Sequence, residues 1–305
     1  MTKQHATKGC RNKRNKGQKA KLCFFLFVTF SLCYFVLKIA AHNKNFAAPS
    51  AAPGAASADS ATYLPLVQRN PTIWQPSPGT SWQWQLTEEI DTSFDVQMYD
   101  IDLFDTPQST IDTLHENGRI VICYFSAGSY ENWRSDANQF PAAVLGNTLD
   151  GWPDEKWLDI RQIAQLEPIM TARLDLAVSK GCDGVEPDNV DGYTNNTGFP
   201  LSAQDQLDYN SWLSTAAHTR SLSIGLKNDL DQIPDLVTHF DWALNEQCYQ
   251  YDECDLLRPF TAAGKAVFGV EYQGSPAQFC PYFNTLNFDW LFKEINLGPS
   301  RTACR

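Results

Sequence analysis

The stretch "GVEPDNVDGY" (residues 184–193) sets three carboxylates, Glu186, Asp188 and Asp191, at the end of a short run that opens like a strand. Side chains two residues apart on a strand share a face, so Glu186 and Asp188 point the same way. A buried strand tolerates that much negative charge only beside a cation, or where a reaction uses carboxylates held close together.

Seven further runs share this character: "WQWQL" (82–86), "DVQMYDID" (95–102), "RIVICYFSAG" (119–128), "WLDI" (157–160), "SIGLKN" (223–228), "WALNEQ" (242–247) and "AVFGVEY" (266–272). Helical patterns separate several of them, at 106–118, 161–181 and 202–220, the last opened by Ser202 as a helix cap. Strands alternating with helices predict a parallel sheet, and eight such units close a (β/α)8 TIM barrel of the α/β class. A doubly wound open sheet is the alternative, weakened because no glycine-rich phosphate loop follows the first strand. Barrel enzymes collect their chemistry at the C-terminal ends of the strands. Those ends read Gln85, Tyr99 to Asp102, Tyr124 to Ser126, Asp159, Glu186 and Asp188, Lys227 and Asn228, Glu246 and Gln247, and Glu271 and Tyr272. Polar residues finish nearly every strand on the same end, which predicts a pocket rimmed with acids.

Residues 1–45 contain ten Lys/Arg and no acid, which leaves 14 basic against 35 acidic side chains in the rest, a net charge of −21. A body this acidic repels phosphate backbones, so nucleic acid is excluded as a partner and a polycation is favoured. Eight of the basic residues lie between 3 and 21, and "LCFFLFVTFSLCYFVL" (22–37) follows without a charge. The expected organisation is a basic cytoplasmic arm (1–21), a transmembrane signal anchor (22–41), a disordered Ala/Pro/Ser-rich stalk (42–72) and a folded domain (73–305). Basic flanks stay in the cytoplasm, so the expectation is a single-pass type II protein of the cell membrane with its C-terminal body outside. Secretion after signal cleavage is the alternative.

Six cysteines, Cys123, Cys182, Cys248, Cys254, Cys280 and Cys304, fall on the oxidising side of that anchor, and an even number suits disulfides. Cys248 with Cys254 is the leading pair, since a five-residue loop joins them, and Cys280 with Cys304 is the second. No zinc spacing occurs, and neither a metal nor a cofactor is expected. Asn195 heads a glycosylation sequon, used if it is exposed.

Acid-lined pockets serve glycoside hydrolysis, metal binding or recognition of a cation. Glycosidic cleavage needs one carboxylic acid for the leaving oxygen and one carboxylate for the sugar or water. Aromatic residues near the rim (Trp84, Tyr99, Tyr124, Tyr130, Tyr193, Tyr249 and Tyr272) are candidates for stacking on sugar faces, with ordinary packing as the alternative. The blocks "YFSAGSYENWR" (124–134), "GCDGVEPDNVDGY" (181–193), "GLKN" (225–228), "ALNEQC" (243–248) and "GVEY" (269–272) resemble, in order and spacing, glycoside hydrolase family 114. This family comprises fungal and bacterial endo-α-1,4-polygalactosaminidases, with spherulin-4-like relatives. The resemblance runs from about Trp82 to Gln273.

It implies a (β/α)8 barrel acting on α-1,4-linked galactosamine, as in galactosaminogalactan. It maps the family's catalytic carboxylates onto Asp188, after the fifth expected strand, and Glu246, at the end of the seventh. Free amines make such a polymer a polycation, which suits the acidic body. Glu246 is assigned as general acid and Asp188 as nucleophile or base, with Glu186 as competitor for the latter role. Trp84, Asp100, Asp102, Tyr124, Glu186, Asn189, Lys227, Asn228, Gln247, Glu271 and Tyr272 are the expected substrate-binding residues. Crowding among Glu186, Asp188 and Asp191 is expected to raise a carboxyl pKa, and Lys227 and Asn228 to oppose it. The expected partner is a cationic amino-sugar polysaccharide bound by a monomer. The rival readings are a surface binder that does not cleave and a calcium-stabilised structural protein; "DNVDGY" and "KNDLDQ" complete no calcium loop. Substrate-assisted cleavage is disfavoured, since a deacetylated sugar lacks the participating acetyl group.

Overall fold

The structure is a computed structural model that describes residues 73–305. The expected arm, anchor and stalk (1–72) lie outside the described residues. Among residues 73–305 no helix is long and apolar enough to cross a membrane.

The strands, in order, are β1 (Trp82–Gln85), β2 (Met98–Asp102), β3 (Ile120–Ser126), β4 (Ser129–Glu131), β5 (Leu145–Leu149), β6 (Trp152–Leu158), β7 (Gly184–Asp188), β8 (Ser223–Lys227), β9 (Trp242–Glu246), β10 (Val267–Glu271), β11 (Asp289–Lys293) and β12 (Arg301–Ala303). The helices are α1 (Gln108–Glu116), α2 (Ile163–Lys180), α3 (Ala203–His218), α4 (Ile233–Leu236), α5 (Cys248–Tyr251), α6 (Arg258–Ala262) and α7 (Pro276–Leu286). One nine-stranded sheet runs β1-β2-β3-β7-β8-β9-β10-β11-β12. Its first eight members are parallel and β12 is antiparallel.

The sheet curls into a nearly closed barrel of the TIM type. No strand ladder joins β1 to β11; individual bonds close the seam. The Trp82 indole donates to the Asp289 carbonyl at 2.9 Å, Arg301 donates to the Trp82 carbonyl at 3.0 Å, and the Leu86 amide donates to the Leu297 carbonyl at 3.0 Å.

Two expectations are corrected here. The "WLDI" run is not a barrel strand: Trp157 and Leu158 end β6, which pairs antiparallel with β4 and β5 in a separate three-stranded sheet. Its place in the barrel count is taken by β11, so Asp188 ends the fourth barrel strand and Glu246 the sixth. The connection from β1 to β2 also carries no helix, so the helical half of the (β/α)8 pattern is incomplete.

Alternation along the strands sorts the core into two layers. Trp82, Trp84, Met98, Ile122, Trp242, Leu244, Phe268, Val270 and Leu291 form one buried cluster, which fills the lower barrel. Their alternates, such as Tyr99, Ile101, Val121, Cys123 and Val185, join the helices in the outer cluster. Gly225 makes room for an inward tryptophan, since a Cβ there would sit 2.3 Å from the Trp242 ring. The helix ends follow local chemistry. Ser202 and Asp205 form a reciprocal capping box at the start of α3, and Gly181 takes the left-handed conformation (φ 80°) that ends α2. The disulfides Cys248–Cys254 and Cys280–Cys304 form as expected, and Cys123–Cys182 joins β3 to the turn before β7. Asn195 is exposed, which meets the condition set for its sequon.

Candidate active site

The C-terminal ends of β2, β3, β7, β8, β9 and β10 aim Asp100, Tyr124, Glu186, Asp188, Lys227, Glu246 and Tyr272 toward one region, because these residues alternate in phase with the inward apolar ones below them. Lys227 stands at its centre. Its ammonium lies 2.7 Å from Glu186 Oε1, 3.2 Å from Asp188 Oδ1 and 3.5 Å from Glu246 Oε2. The latter two oxygens are therefore less than about 7 Å apart, although 58 positions separate the residues in the chain. Burial opposes the charge on Lys227, but Asp188, Glu186 and Glu246 outweigh it and hold its pKa well above the ordinary lysine value. The indole of Trp84 lies under the same ammonium, 4.7 Å from ring centroid to Nζ.

The acids sit at two depths. Asp188 and Glu246 retain side-chain exposure of 19% and 9%, whereas Glu186 has none. Asp188 accepts from the Tyr124 hydroxyl at 3.1 Å, and Glu246 from the Tyr272 hydroxyl at 2.5 Å and the Asn228 amide at 3.2 Å. Burial and the adjacent carboxylates, Asp188 and Glu246 respectively, raise both tyrosine pKa values well above the ordinary value, so each phenol keeps its proton and donates.

Beneath them, Glu186 accepts from Lys227 and from the Trp84 indole at 3.0 Å. Burial pushes its pKa to about 7. Asp100 is fully buried, and among the described residues no N–H donor reaches either of its oxygens. Burial, then the neighbouring Glu186, raises the Asp100 carboxyl well above its usual range. That shift favours the neutral form of Asp100 beside Glu186. After burial, Asp188 is the acid that raises Glu186, as expected, while Lys227 and Asp100 lower it; the charge of Asp191 acts instead on Asp229.

The geometry sets several of the expected substrate-binding residues away from the open acids. Trp84, Asp100 and Glu186 are sealed below the mouth and support Lys227 and the two upper acids. Asp102 is locked by Arg134 through two bonds of 2.9 and 2.6 Å, and it also accepts the Phe104 and Asp105 amides. Glu271 alternates out of phase with Phe268 and Val270, faces the helix layer and accepts the Tyr249 amide at 3.0 Å, which fixes the start of α5. Gln247 turns to Gln250 at 2.8 Å. Tyr99 also faces outward, where its hydroxyl donates to the Asp91 and Phe94 carbonyls. Tyr124, Asn189, Asn228 and Tyr272 remain around the open acids.

One positioning device escaped sequence reasoning. The amides of Ala127 and Gly128 both donate to the Asp188 carbonyl, at 2.9 and 3.0 Å. Asn189, held at φ 61°, donates from its side chain to Ser126 at 3.0 Å and Ser129 at 3.3 Å. A Cβ on Gly128 would lie 1.7 Å from the Asn189 carbonyl oxygen. The small residues of "FSAGS" (125–129) were the available signal.

Comparison with known proteins places the fold among glycoside hydrolases. The solved structure of Aspergillus fumigatus Ega3 in complex with galactosamine is 46% identical, with a TM-score of 0.73, and the alignment covers 76% of this chain and 98% of that one. The glycoside hydrolase domain of PelA from Pseudomonas aeruginosa, at 11% identity and TM-score 0.59 over 73% of this chain and 98% of its own, is a likeness of fold alone. An uncharacterized protein of Deinococcus radiodurans is 29% identical over 188 residues, 52% of this chain and 58% of that protein, so the chain spans little more than half of that relative. The model of glycoside-hydrolase family GH114 matches residues 64–305. A match over that much of the sequence, on a barrel whose mouth gathers these carboxylates, means that the chain belongs to glycoside-hydrolase family GH114.

Proposed function

We propose that this protein is an endo-acting glycoside hydrolase that cleaves α-1,4-linked galactosamine in a galactosaminogalactan-type polymer with two carboxylates. Glu246 protonates the glycosidic oxygen, and Asp188 attacks the anomeric carbon or activates water. The observation that carries this reading is that Asp188 and Glu246 both reach the mouth, each on a tyrosine donor and both within 3.5 Å of one ammonium. Glu186 lacks the exposure to touch a sugar, which favours Asp188 over its competitor. Carboxylates around the single Lys227 leave the mouth rich in negative charge, which suits a polymer bearing free amines.

The apolar run at 22–37 behind its basic flank supports a type II anchor, with the barrel outside the cell as a monomer. Asn195 carries a glycan in that setting.

Incubation with partly deacetylated galactosaminogalactan tests the reading. Wild type releases new reducing ends; Asp188→Asn and Glu246→Gln each lower the rate by at least about 10²-fold with unchanged melting. A surface binder instead depletes soluble polymer without new ends. An active Asp188→Asn protein overturns the assignment.

A further inference from the structure

Large exposed apolar side chains gather on α5, the segment after it and α7. Of six large apolar side chains that stand exposed among the described residues, four are Tyr249, Tyr251, Leu256 and Tyr282. Tyr249 comes three residues after Glu246, on α5, and its ring lies 5.9 Å from that of Tyr282 on α7. It is also 6.0 Å from the buried rings of Phe279 and Phe283. The rings are held in place from below: the Cys248–Cys254 disulfide closes the loop, and Glu271 takes the Tyr249 amide. Yet 43% of Tyr249 and 37% of Tyr282 stay in water. Nothing about stabilising the barrel requires that exposure.

Acids accompany the rings. Asp252 and Asp255 are exposed, and the charges of Asp255, Arg258 and Asp252 all act on the Tyr282 hydroxyl. Asp255 pairs with Arg258 at 2.7 Å, with the two side chains 72% and 59% exposed. Such a pair is weak in water, so an incoming ammonium competes for Asp255. Flat aromatic faces bind the apolar faces of sugar rings and attract cations, and carboxylates bind ammonium groups. An apolar protein partner would gain nothing from the acids, whereas an amino-sugar chain uses both features.

We propose that Tyr249 and Tyr282, with Asp252 and Asp255, form an outlying docking platform for the amino-sugar polymer, beyond the cleft that holds Asp188 and Glu246. The choice of polymer rests on the hydrolase reading above; the platform itself rests on the exposed rings and their acids. Because the rings are already fixed, docking orders few side chains.

The test separates binding from cleavage. Full-length Glu246→Gln protein is titrated with long, partly deacetylated galactosaminogalactan, with and without Tyr249→Ala plus Tyr282→Ala. The alanine pair weakens binding by about tenfold, whereas Tyr249→Phe plus Tyr282→Phe retains it. In otherwise wild-type protein the alanine pair raises KM for long polymer, leaves kcat unchanged and leaves cleavage of short oligomers unchanged. Equal binding by the alanine pair and its parent, with equal melting, overturns the platform and leaves the hydrolase standing. Polymer that binds through the tyrosines but is never cut by the wild type overturns the hydrolase and leaves the platform. Polymer that neither binds nor is cut removes both.

Discussion

Lys227 is 1% exposed and yet charged, at the meeting point of Glu186, Asp188 and Glu246. Removing one member of a buried ionic cluster leaves the others uncompensated. Lys227→Met is therefore expected to cost about 3–5 kcal/mol in urea unfolding and to abolish cleavage, since both mouth acids lose their shared cation. An active, stable variant would show that the acids are held by their tyrosines alone. Asp229, the second residue after Lys227, gives a pH signature. Burial and the nearby Asp191 raise its carboxyl from 3.8 to about 8, and Asn210 donates to it at 2.9 Å. The folded value stands above the ordinary one, so the native state keeps a proton that the unfolded chain has released. Its stabilisation is complete below the ordinary value and is lost as pH rises toward about 8. Asp229→Asn is thus expected to flatten the decline in unfolding free energy between pH of about 5 and 8. A decline as steep as that of the wild type would assign the effect to other groups.

At the scale of elements, the junction of β3 with β7 sets the position of Asp188, the proposed nucleophile or base. Both strands end at the same level, Ser126 opposite Asp188, and the following turn lies against the Asn189 backbone with no room for a side chain at Gly128. Gly128→Ala must displace one backbone from the other. Misplacing a catalytic group by about 1 Å costs on the order of 10² in rate, so kcat is expected to fall by about that factor while KM changes little. Steady-state kinetics beside a thermal melt checks this; wild-type kcat would show that the turn yields without moving Asp188. The small sheet of β4, β5 and β6 follows from the same turn: β4 begins one residue after Gly128 and pairs with β6.

For the whole molecule, charge is the property that reaches furthest. The residues after position 45 carry a net −21, and such a field draws in a polycation until salt screens it. The screening length falls from about 30 Å at 0.01 M salt to about 3 Å at 1 M. Over that range KM for deacetylated polymer is expected to rise several-fold with kcat steady, and KM for a fully N-acetylated polymer to stay flat. Equal salt responses would assign the acidity to solubility alone.

Much of this molecule is written locally. Seven of the eight parallel strands announce themselves as apolar runs with polar ends, because strand burial imposes a two-residue period that short windows display. Asp188, Glu246, Tyr124, Tyr272 and Lys227 were legible at those ends, and Cys248–Cys254 was legible because its loop is short. The sequence failed where partners come from far along the chain. "WLDI" reads like any buried strand, and only its antiparallel pairing with β4 and β5 removes it from the barrel; "DWLFK" (289–293) completes the ring through neighbours at β10 and β12. Asp102 and Glu271 end strands as Asp188 does, but Arg134 and the amide of Tyr249 claim them. Strand periodicity determines which residues finish a strand. Which of those carboxylates stay open to a substrate depends on cations and amides brought in by other segments, and tertiary structure alone decides that.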